Sequence, residues 1–266
     1  MNGVRLYVDG IGLHAPGMAG WSQGCEVLGG RAAFVAEVPP LAAPQALPPT
    51  ERRRVGLPVR LSMAIGLEAA RKAQVDVATL ATVFSSTGGD CDNCHHLLDT
   101  LASPDRTVSP TRFHNSVHNA PSGYWGIATG CRLPSTTLCA YDATFCAGLT
   151  EAVSQVSQTG EACLLLAYDT AYPEPLYALR PIPHAAGIAL VLAPKQSERS
   201  LARLEIVPDA GLPGRMEDAA LEQLRTRVPA ARGLPLLQAL ARQQPAEVVL
   251  EYLDAFHLRI GVMPCI

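Results

Sequence analysis

The 266-residue chain is poor in charge: 17% of its residues are charged, 48% are hydrophobic and its formal net charge is −3. Because no basic run is longer than Arg52–Arg54, this composition argues against nucleic acid as a ligand. The excess of apolar residues favours a lasting protein partner over a free monomer.

The sequence carries no recognisable leader and no membrane-spanning segment. No charged start is followed by an apolar stretch, and no apolar run approaches the length that crosses a bilayer. We therefore expect a cytoplasmic protein without a membrane span. In that reducing compartment the eight cysteines should be free thiols, most of them buried.

Hydrophobic periodicity predicts strands that alternate with helices along most of the chain. Such an order, with strands that are apolar throughout, is typical of an α/β fold with a mainly parallel, buried sheet. In chain order we predict strands at 3–13, 80–90, 135–141, 162–169, 185–194 and 202–208, a closing hairpin that turns near Asp254 and Ala255, and helices at 20–28, 60–73, 92–102, the end of 115–130, 143–158, 216–227 and 234–243.

Two stretches follow an order of motifs that is known from one family. The first, FHNSVHNAPSGYWGIATGCRLPS (113–135), has the form N-x-x-x-G, a helix, then G-x-x-x-P-S. The second begins after it with a strand, a sharp turn and a helix, and continues through GEACLLLAYD (160–169) to RPIPHAAGIALVLAP (180–194). Together they resemble the β-ketoacyl synthase family, although Leu133 replaces the family's glycine before the proline.

The resemblance covers about residues 3–208 and implies a thiolase-like layered α/β fold. Residues 1–208 would form a complete ketosynthase N-terminal-like half. Residues 209–266 would form a truncated second half that packs on the same domain and supplies two helices and a hairpin. Upstream, RLSMAIGLEAARKA (60–73) and VFSSTGGD (83–90) fit the family's early helix and strand end.

The family's nucleophile is the cysteine of a T-A-C-x-S-G turn, whose thiolate is favoured by a helix N-terminus. Counted from Pro134 and Ser135 at the family's spacing, that position falls on Asp142. A carboxylate is a weak nucleophile and a good leaving group, so the resemblance implies that no catalytic nucleophile is present. Two roles stay open for Asp142: it caps the following helix, or it fills or polarises a vestigial acyl pocket.

Cys146 is the rival nucleophile, because TFCAG is similar to the family's TACAG. Its place one turn inside the helix would remove it from the N-terminal donors, which favours a buried structural cysteine. Cys139, in the predicted strand, is also expected in the core. The two catalytic histidines of the family are missing, since neither His184 nor His257 stands in a matching context.

The segment CDNCHHLLD (91–99) contains two cysteines and two histidines, a composition that zinc sites share. A structural zinc site needs a second ligand pair at suitable spacing, and the sequence offers none. Cys91 and Cys94 are therefore interpreted as packing or interface residues. We expect neither a metal nor a cofactor.

The resemblance places the segment from Phe113 onward near a dimer axis. Phe113 would reach toward an acyl tunnel shared across the interface, and Tyr124 and Trp125 are expected to be core or interface aromatics. If the helix begins early enough, one face carries both His114 and His118, four residues apart, toward a partner subunit. The candidates for the tunnel or the interface are Phe113, His114, His118, Asn119, Tyr141 and Asp142.

A ketosynthase-like chain without a nucleophile is similar to a chain-length factor. The resemblance implies a non-catalytic subunit of a type II polyketide system, close to those of aryl polyene pathways. Its partner would be a full-length β-ketoacyl synthase in a heterodimer, which acyl carrier protein would serve. Two alternatives stay open: a degenerate ketosynthase or thioester decarboxylase that uses Cys146 or Asp142, and a homodimeric scaffold that binds carrier protein.

Overall fold

One eight-stranded sheet organises the protein. The computed structural model describes residues 3–265. Every predicted strand and the closing hairpin are present, although the second and third strands are shorter than predicted. The strands are β1 (Val4–His14), β2 (Ala81–Ser85), β3 (Ser135–Leu138), β4 (Cys163–Asp169), β5 (Ala186–Ala193), β6 (Ala202–Asp209), β7 (Ala246–Leu253) and β8 (Phe256–Pro264), and their order across the sheet is β3-β2-β4-β5-β1-β6-β8-β7.

The predicted helices are also present, with three short helices that periodicity did not reveal. Single 3₁₀ turns at Val77–Thr79, Tyr141–Ala143 and Pro229–Gly233 join some of the elements. The helices are α1 (Trp21–Leu28), α2 (Pro49–Arg52), α3 (Leu57–Ala73), α4 (Cys91–Ala102), α5 (Pro110–Asn115), α6 (Ala120–Thr129), α7 (Thr144–Thr159), α8 (Leu176–Leu179), α9 (Ala219–Arg227) and α10 (Leu234–Arg242).

Helices cover both faces of the sheet. α3 and α6 bury one face, while α7, α1, α9 and α10 bury the other. The central strands β4 and β5 are therefore buried along their whole length, as their unbroken apolar sequences predict. Gly10 and Gly12 allow the closest approach of α3 to β1, because a Cβ at Gly12 would lie 1.9 Å from the carbonyl oxygen of Ile65.

The prediction of a mainly parallel sheet is wrong. Among the strands of residues 3–265, only the pairs β2–β3 and β2–β4 are parallel, and the other pairs are antiparallel. Parallel pairing needs a crossover helix, which α4 to α7 supply between β2, β3 and β4. The connections from β4 to β5 and from β5 to β6 have no long helix, so the chain returns in the opposite direction. The central strands are apolar throughout because helices cover both faces of the sheet, and this pattern does not depend on strand direction.

The last part of the chain extends the same sheet. β8 pairs with β6, and β7 closes the sheet beyond β8. α9 and α10 pack leucines such as Leu224 and Leu237 against the core cluster that contains Phe145 of α7. The two helices and the hairpin expected after β6 are thus confirmed.

β3 forms the opposite edge of the sheet. In the part of the chain that the structure describes, it pairs only with β2, so its outer side is open to another strand. α6 lies beside it, where the hydroxyls of Ser122 and Ser135 are 2.8 Å apart. Large apolar side chains are exposed around this edge, which is typical of a surface that a partner covers: Phe113, Val117, Ile127, Leu133 and Tyr141.

Candidate functional site

The turn between β3 and α7 is the place where the family's nucleophile would stand. β3 ends at Leu138, and a 3₁₀ turn over Tyr141–Ala143 leads into α7 at Thr144. Tyr141 has a φ of 53°, in the left-handed region that bulky residues rarely adopt. Cys139 follows the strand and is exposed, so the expectation that it lies in the core is wrong. β3 ends at Leu138, earlier than its apolar sequence suggests, and Cys139 lies in the connection to the 3₁₀ turn.

Asp142 does not cap α7. The N-cap position is Ala143, and no side chain accepts a hydrogen bond there. The carboxylate instead lies between two arginines: Arg180 Nη2 is 2.6 Å from Oδ1, and Arg232 Nη2 is 3.4 Å from Oδ2. The helix-capping interpretation is therefore wrong, because two mostly buried cations attract the carboxylate away from the helix N-terminus.

The ion pairs continue from Asp142 into the last part of the chain. Arg232 Nη1 also contacts Glu251 of β7 at 2.5 Å, and Arg225 of α9 lies 3.5 Å from the same carboxylate. Arg225 is buried, and its 2.7 Å bond to Glu222 holds the pKa of that carboxyl below its usual range. The network joins the turn after β3 to α9, to the 3₁₀ turn before α10 and to β7.

Three side chains hold Tyr141 in place. The guanidinium of Arg180 stacks on its ring, 3.4 Å from the ring centroid. Its carbonyl oxygen accepts hydrogen bonds from the hydroxyls of Thr87 at 2.9 Å and Thr144 at 2.6 Å. The residue is nevertheless 67% exposed.

Asp169, at the end of β4, is a buried carboxyl that sequence analysis missed. It accepts hydrogen bonds from the backbone N–H of Thr87 and of Ala230, each at 2.8 Å, and from the Ser86 hydroxyl at 3.3 Å. Burial raises its pKa to about 7, although these donors and the charge of Arg180 oppose the rise. The carboxyl thus ties the Thr87 loop to the segment that carries Arg232.

Cys146 is a core residue, as its preferred interpretation predicted. Its side chain, in the first turn of α7, is 1% exposed, and the thiol donates to the carbonyl of Glu251 at 3.3 Å. Burial raises the pKa of this thiol to about 12. Burial of this kind disfavours the thiolate form that a cysteine nucleophile needs.

A cavity of about 660 Å³ lies beside Asp142, between the turn after β3 and the β7–β8 hairpin. Its lining includes Arg232, Glu251, Tyr252 and His257. His257 is nearly buried, and its Nδ1 accepts a 3.3 Å hydrogen bond from the backbone N–H of Tyr252. That bond holds the histidine within its own hairpin. His184 lies in the loop before β5.

The two histidines near β3 do not share a helix face. His114 is exposed on α5, which ends at Asn115, whereas His118 lies in the turn that follows. The conditional prediction of one helical face is therefore wrong, since α6 begins only at Ala120. His118 Nε2 lies 2.9 Å from the carbonyl oxygen of Ser86, which fixes it on the chain's own β2 loop.

Phe113 lines an apolar groove of about 680 Å³ beside the β3 edge. The groove also includes Val117, Asn119 and Ile127, and Phe113 itself is 68% exposed. Tyr124 and Trp125 are buried beneath it, so their interpretation as core aromatics is confirmed. An apolar groove beside the open edge of a sheet is typical of a surface that a protein partner covers.

Among residues 3–265, no group of three or more potential metal-ligating side chains comes together. Within α4, His95 lies 3.2 Å from Asp99, and His96 lies 3.7 Å from Asp92. Burial raises the pKa of the Cys91 thiol. Across the same described range, none of the helices has the length and the apolar character needed to cross a membrane.

The relationship to known proteins follows from a family model and from solved structures. Residues 21–251 match the model of the β-ketoacyl synthase N-terminal domain. The chain belongs to the β-ketoacyl synthase family. This match agrees with the motif order around the turn after β3, and no curated protein sequence matches the chain significantly.

Solved structures confirm the ketosynthase-like thiolase fold. A chain from the complex of the ketosynthase ApeO with its chain length factor ApeC, from Xenorhabdus doucetiae, is similar over 96% of this chain and 98% of that one, with 21% identity and a TM-score of 0.73. The ishigamide ketosynthase/chain length factor is similar over 98% and 99%, with 16% identity and a TM-score of 0.71. AntDE:AntF, a type II PKS acyl-carrier protein in complex with its ketosynthase, gives full coverage, 11% identity and a TM-score of 0.75.

Sequence reasoning found the turn of this ketosynthase-like chain but missed the side chains around it. Arg180 and Arg232 lie 38 and 90 positions after Asp142, too far for any local pattern to connect them. The RPIP motif begins with Arg180, but the sequence analysis gave this residue no role. Asp169 could have been noticed from the sequence, because it ends a strand that is otherwise apolar. A carboxyl in that position lies either in the protein interior or at the edge of the sheet where the strand ends.

Proposed function

We propose that this chain is a non-catalytic, chain-length-factor-like subunit that pairs with an active β-ketoacyl synthase in the cytoplasm. It would shape the tunnel in which a growing polyketide or aryl polyene chain lies. The observation that carries the proposal is the state of the nucleophile turn. Its carboxylate, Asp142, is held between two arginines, and its nearest core thiol, Cys146, is sealed from solvent.

The chemistry of the turn after β3 supports a non-catalytic role. A ketosynthase nucleophile needs an ionised thiol at the helix N-terminus, where backbone donors also stabilise the oxyanion. We take Asp142 as the occupant of that position. Its ion pairs with Arg180 and Arg232 make it still less nucleophilic, because attack would have to break them. Cys146 would need to lose its proton against a pKa of about 12.

The open edge at β3 supports a partner. In thiolase-fold dimers the strand before the nucleophile pairs across the two-fold axis, so β3 would continue one sheet through both subunits. The apolar groove that holds Phe113, Asn119 and Ile127 would lie against the same partner. Two of the similar structures are named as ketosynthase and chain length factor pairs, which agrees with this arrangement.

Substrate would reach the complex on acyl carrier protein, with the partner's own Cys-His-His set performing the condensation. In this arrangement residues 1–208 supply the interface, and residues 209–266 brace the turn around Asp142 through Arg225, Arg232 and Glu251. The third similar structure, AntDE:AntF, is named as a carrier protein with its ketosynthase.

Co-expression tests this proposal directly. A tagged copy is produced with the ketosynthase encoded beside it, and the purified material is measured by size exclusion with light scattering. We expect a stoichiometric heterodimer that condenses malonyl units from carrier protein, while each subunit alone is inactive. A homodimer of this chain that binds carrier protein without the ketosynthase, or that turns over substrate by itself, would contradict the proposal.

A further inference from the structure

Tyr141 is exposed and yet tightly fixed. The residue is 67% exposed, but its carbonyl accepts hydrogen bonds from two threonine hydroxyls and Arg180 covers one face of its ring. A surface tyrosine with no function usually samples several rotamers. Here the backbone and the ring are both held before any partner binds.

The backbone of Tyr141 is held in a conformation that its side chain disfavours. Among residues 3–265, the other non-glycine residues with φ between 50° and 55° are Gln74 and Gln243, and both stand at helix C-caps, where the left-handed conformation is usual. Tyr141 has no such role, because it precedes a helix. Strain of this kind persists only where the surroundings impose it, and it concentrates at functional positions.

Arg180 is in turn held by its neighbours. Its Nη2 donates to Asp142 at 2.6 Å and to the Thr87 hydroxyl at 3.4 Å, while its guanidinium plane covers Tyr141. Only 16% of its side chain is exposed. One face of the tyrosine ring is thus used within the chain, whereas the residue as a whole stays 67% exposed beside the cavity next to Asp142.

We propose that Tyr141 is a preorganised anchor that inserts into the ketosynthase partner, and that Asp142 positions it by holding Arg180 against the ring. This inference rests on the proposed function. The anchor follows the open strand β3 by three residues, so a strand that pairs with β3 would bring its subunit to the ring. Rigid aromatic side chains at the centre of an interface carry much of its binding energy.

The chemistry of the ring defines the pocket that would receive it. The partner should offer an apolar pocket that contacts the edge of the tyrosine ring. A polar group that hydrogen-bonds the tyrosine hydroxyl is not required. An arginine already stacks on the inner face, so the partner has no need for a cation there. In this account Asp142 is a positioning residue for the interface and takes no part in the reaction.

The test measures binding of this chain to the immobilised ketosynthase by interferometry. We expect Tyr141→Ala to raise the dissociation constant by about tenfold or more, mainly through faster dissociation. Tyr141→Phe is the matched control, and it should bind within about threefold of wild type because it keeps the ring. Arg180→Gln should weaken binding when Tyr141 is present but have much less effect in the Tyr141→Ala variant, because the arginine affects binding only by holding the tyrosine ring in position.

Tyr141→Gly separates anchoring from a role in folding. Glycine accepts the positive φ without strain, so the isolated variant should keep its melting temperature within a few degrees while it binds as weakly as Tyr141→Ala. If wild type binds and Tyr141→Ala binds equally well, the anchor is refuted while the proposed function stands. If wild type fails to bind the ketosynthase at all, the proposed function is refuted. Loss of self-association in Tyr141→Ala would assign the anchor to a second copy of this chain and overturn the inference.

Discussion

Arg180 donates a 2.6 Å hydrogen bond to the carboxylate of Asp142, at the turn where active members of the family carry a reactive thiol. The bond makes Asp142 part of an ion network within the chain. Arg232 and Glu251 extend this network into the last strands of the sheet. The carboxylate at this turn is therefore held by ion pairs within the chain.

The first prediction concerns the reaction itself. In a complex assembled at saturating concentrations of both subunits, Asp142→Ala should lower the turnover number by less than about tenfold, because the proposed function gives this residue no bond to substrate. Removal of a nucleophile costs roughly 10⁴-fold or more. Steady-state condensation of malonyl-carrier protein measures the effect, and a loss of that larger size would assign Asp142 to the catalytic machinery. Glu247→Gln, an exposed change on the far edge strand β7, is the matched control.

The second prediction concerns the thiols. Native protein treated briefly with iodoacetamide should be labelled at exposed Cys139 and not at Cys146, whose thiol is buried and has a pKa near 12. Because Cys139 directly follows β3, bound ketosynthase should slow its labelling. Peptide mass spectrometry with and without the partner gives both results. Early labelling of Cys146 would reopen it as a nucleophile.

The third prediction concerns the edge strand. The carbonyls of Pro134 and Leu138 accept hydrogen bonds from β2, so the backbone groups of Thr137 point to the open side, whereas those of Thr136 face β2. Thr137→Pro should leave the isolated chain folded but abolish assembly with the ketosynthase. Thr136→Pro should instead lower the melting temperature, because it removes a bond inside the sheet. Circular dichroism and size exclusion distinguish the two variants, and normal assembly of Thr137→Pro would show that β3 is not the shared strand.

The fourth prediction concerns pH. The pKa of the Asp169 carboxyl rises from 3.8 to about 7 on folding, so the folded chain binds more protons than the unfolded chain between these values. Its contribution to stability is therefore full below about pH 4 and is lost as pH rises through 7. Asp169→Asn should flatten this dependence, although it also loses an acceptor for the N–H of Thr87 or Ala230. Urea unfolding at pH 5 and pH 8 measures the difference, and an equal pH slope in both proteins would contradict the assignment.

Most of the fold could be predicted because each element is determined by its own periodicity. α3 and α7, for example, carry apolar residues at helical spacing, and β4 and β5 are unbroken apolar runs. The direction of the strands could not be read in this way. A strand buried on both faces has the same apolar pattern whether its neighbours are parallel or antiparallel. β4 and β5 are antiparallel because the segment between them contains no long crossover helix.

The site was predicted only as far as local sequence reaches. Spacing placed Asp142 at the critical turn, and an aspartate before a helix suggests a cap. Its actual partners come from a loop after β4 and from the segment before α10, so only the folded chain reveals them. The exposure of Cys139 and the left-handed backbone of Tyr141 were also not predictable. Both residues lie in the turn that begins after Leu138, and the sequence did not show that β3 ends there.

The measurement that tests the central claim most directly is the intact mass of both subunits after the complex is incubated with acyl-carrier protein. The account predicts that the acyl group is found only on the ketosynthase, and that exchange of that subunit's active-site cysteine for alanine abolishes the adduct. The mass of this chain should remain unchanged throughout. An acyl adduct on this chain, at Cys146, Cys139 or Asp142, would show that it takes part in the chemistry and would contradict the account.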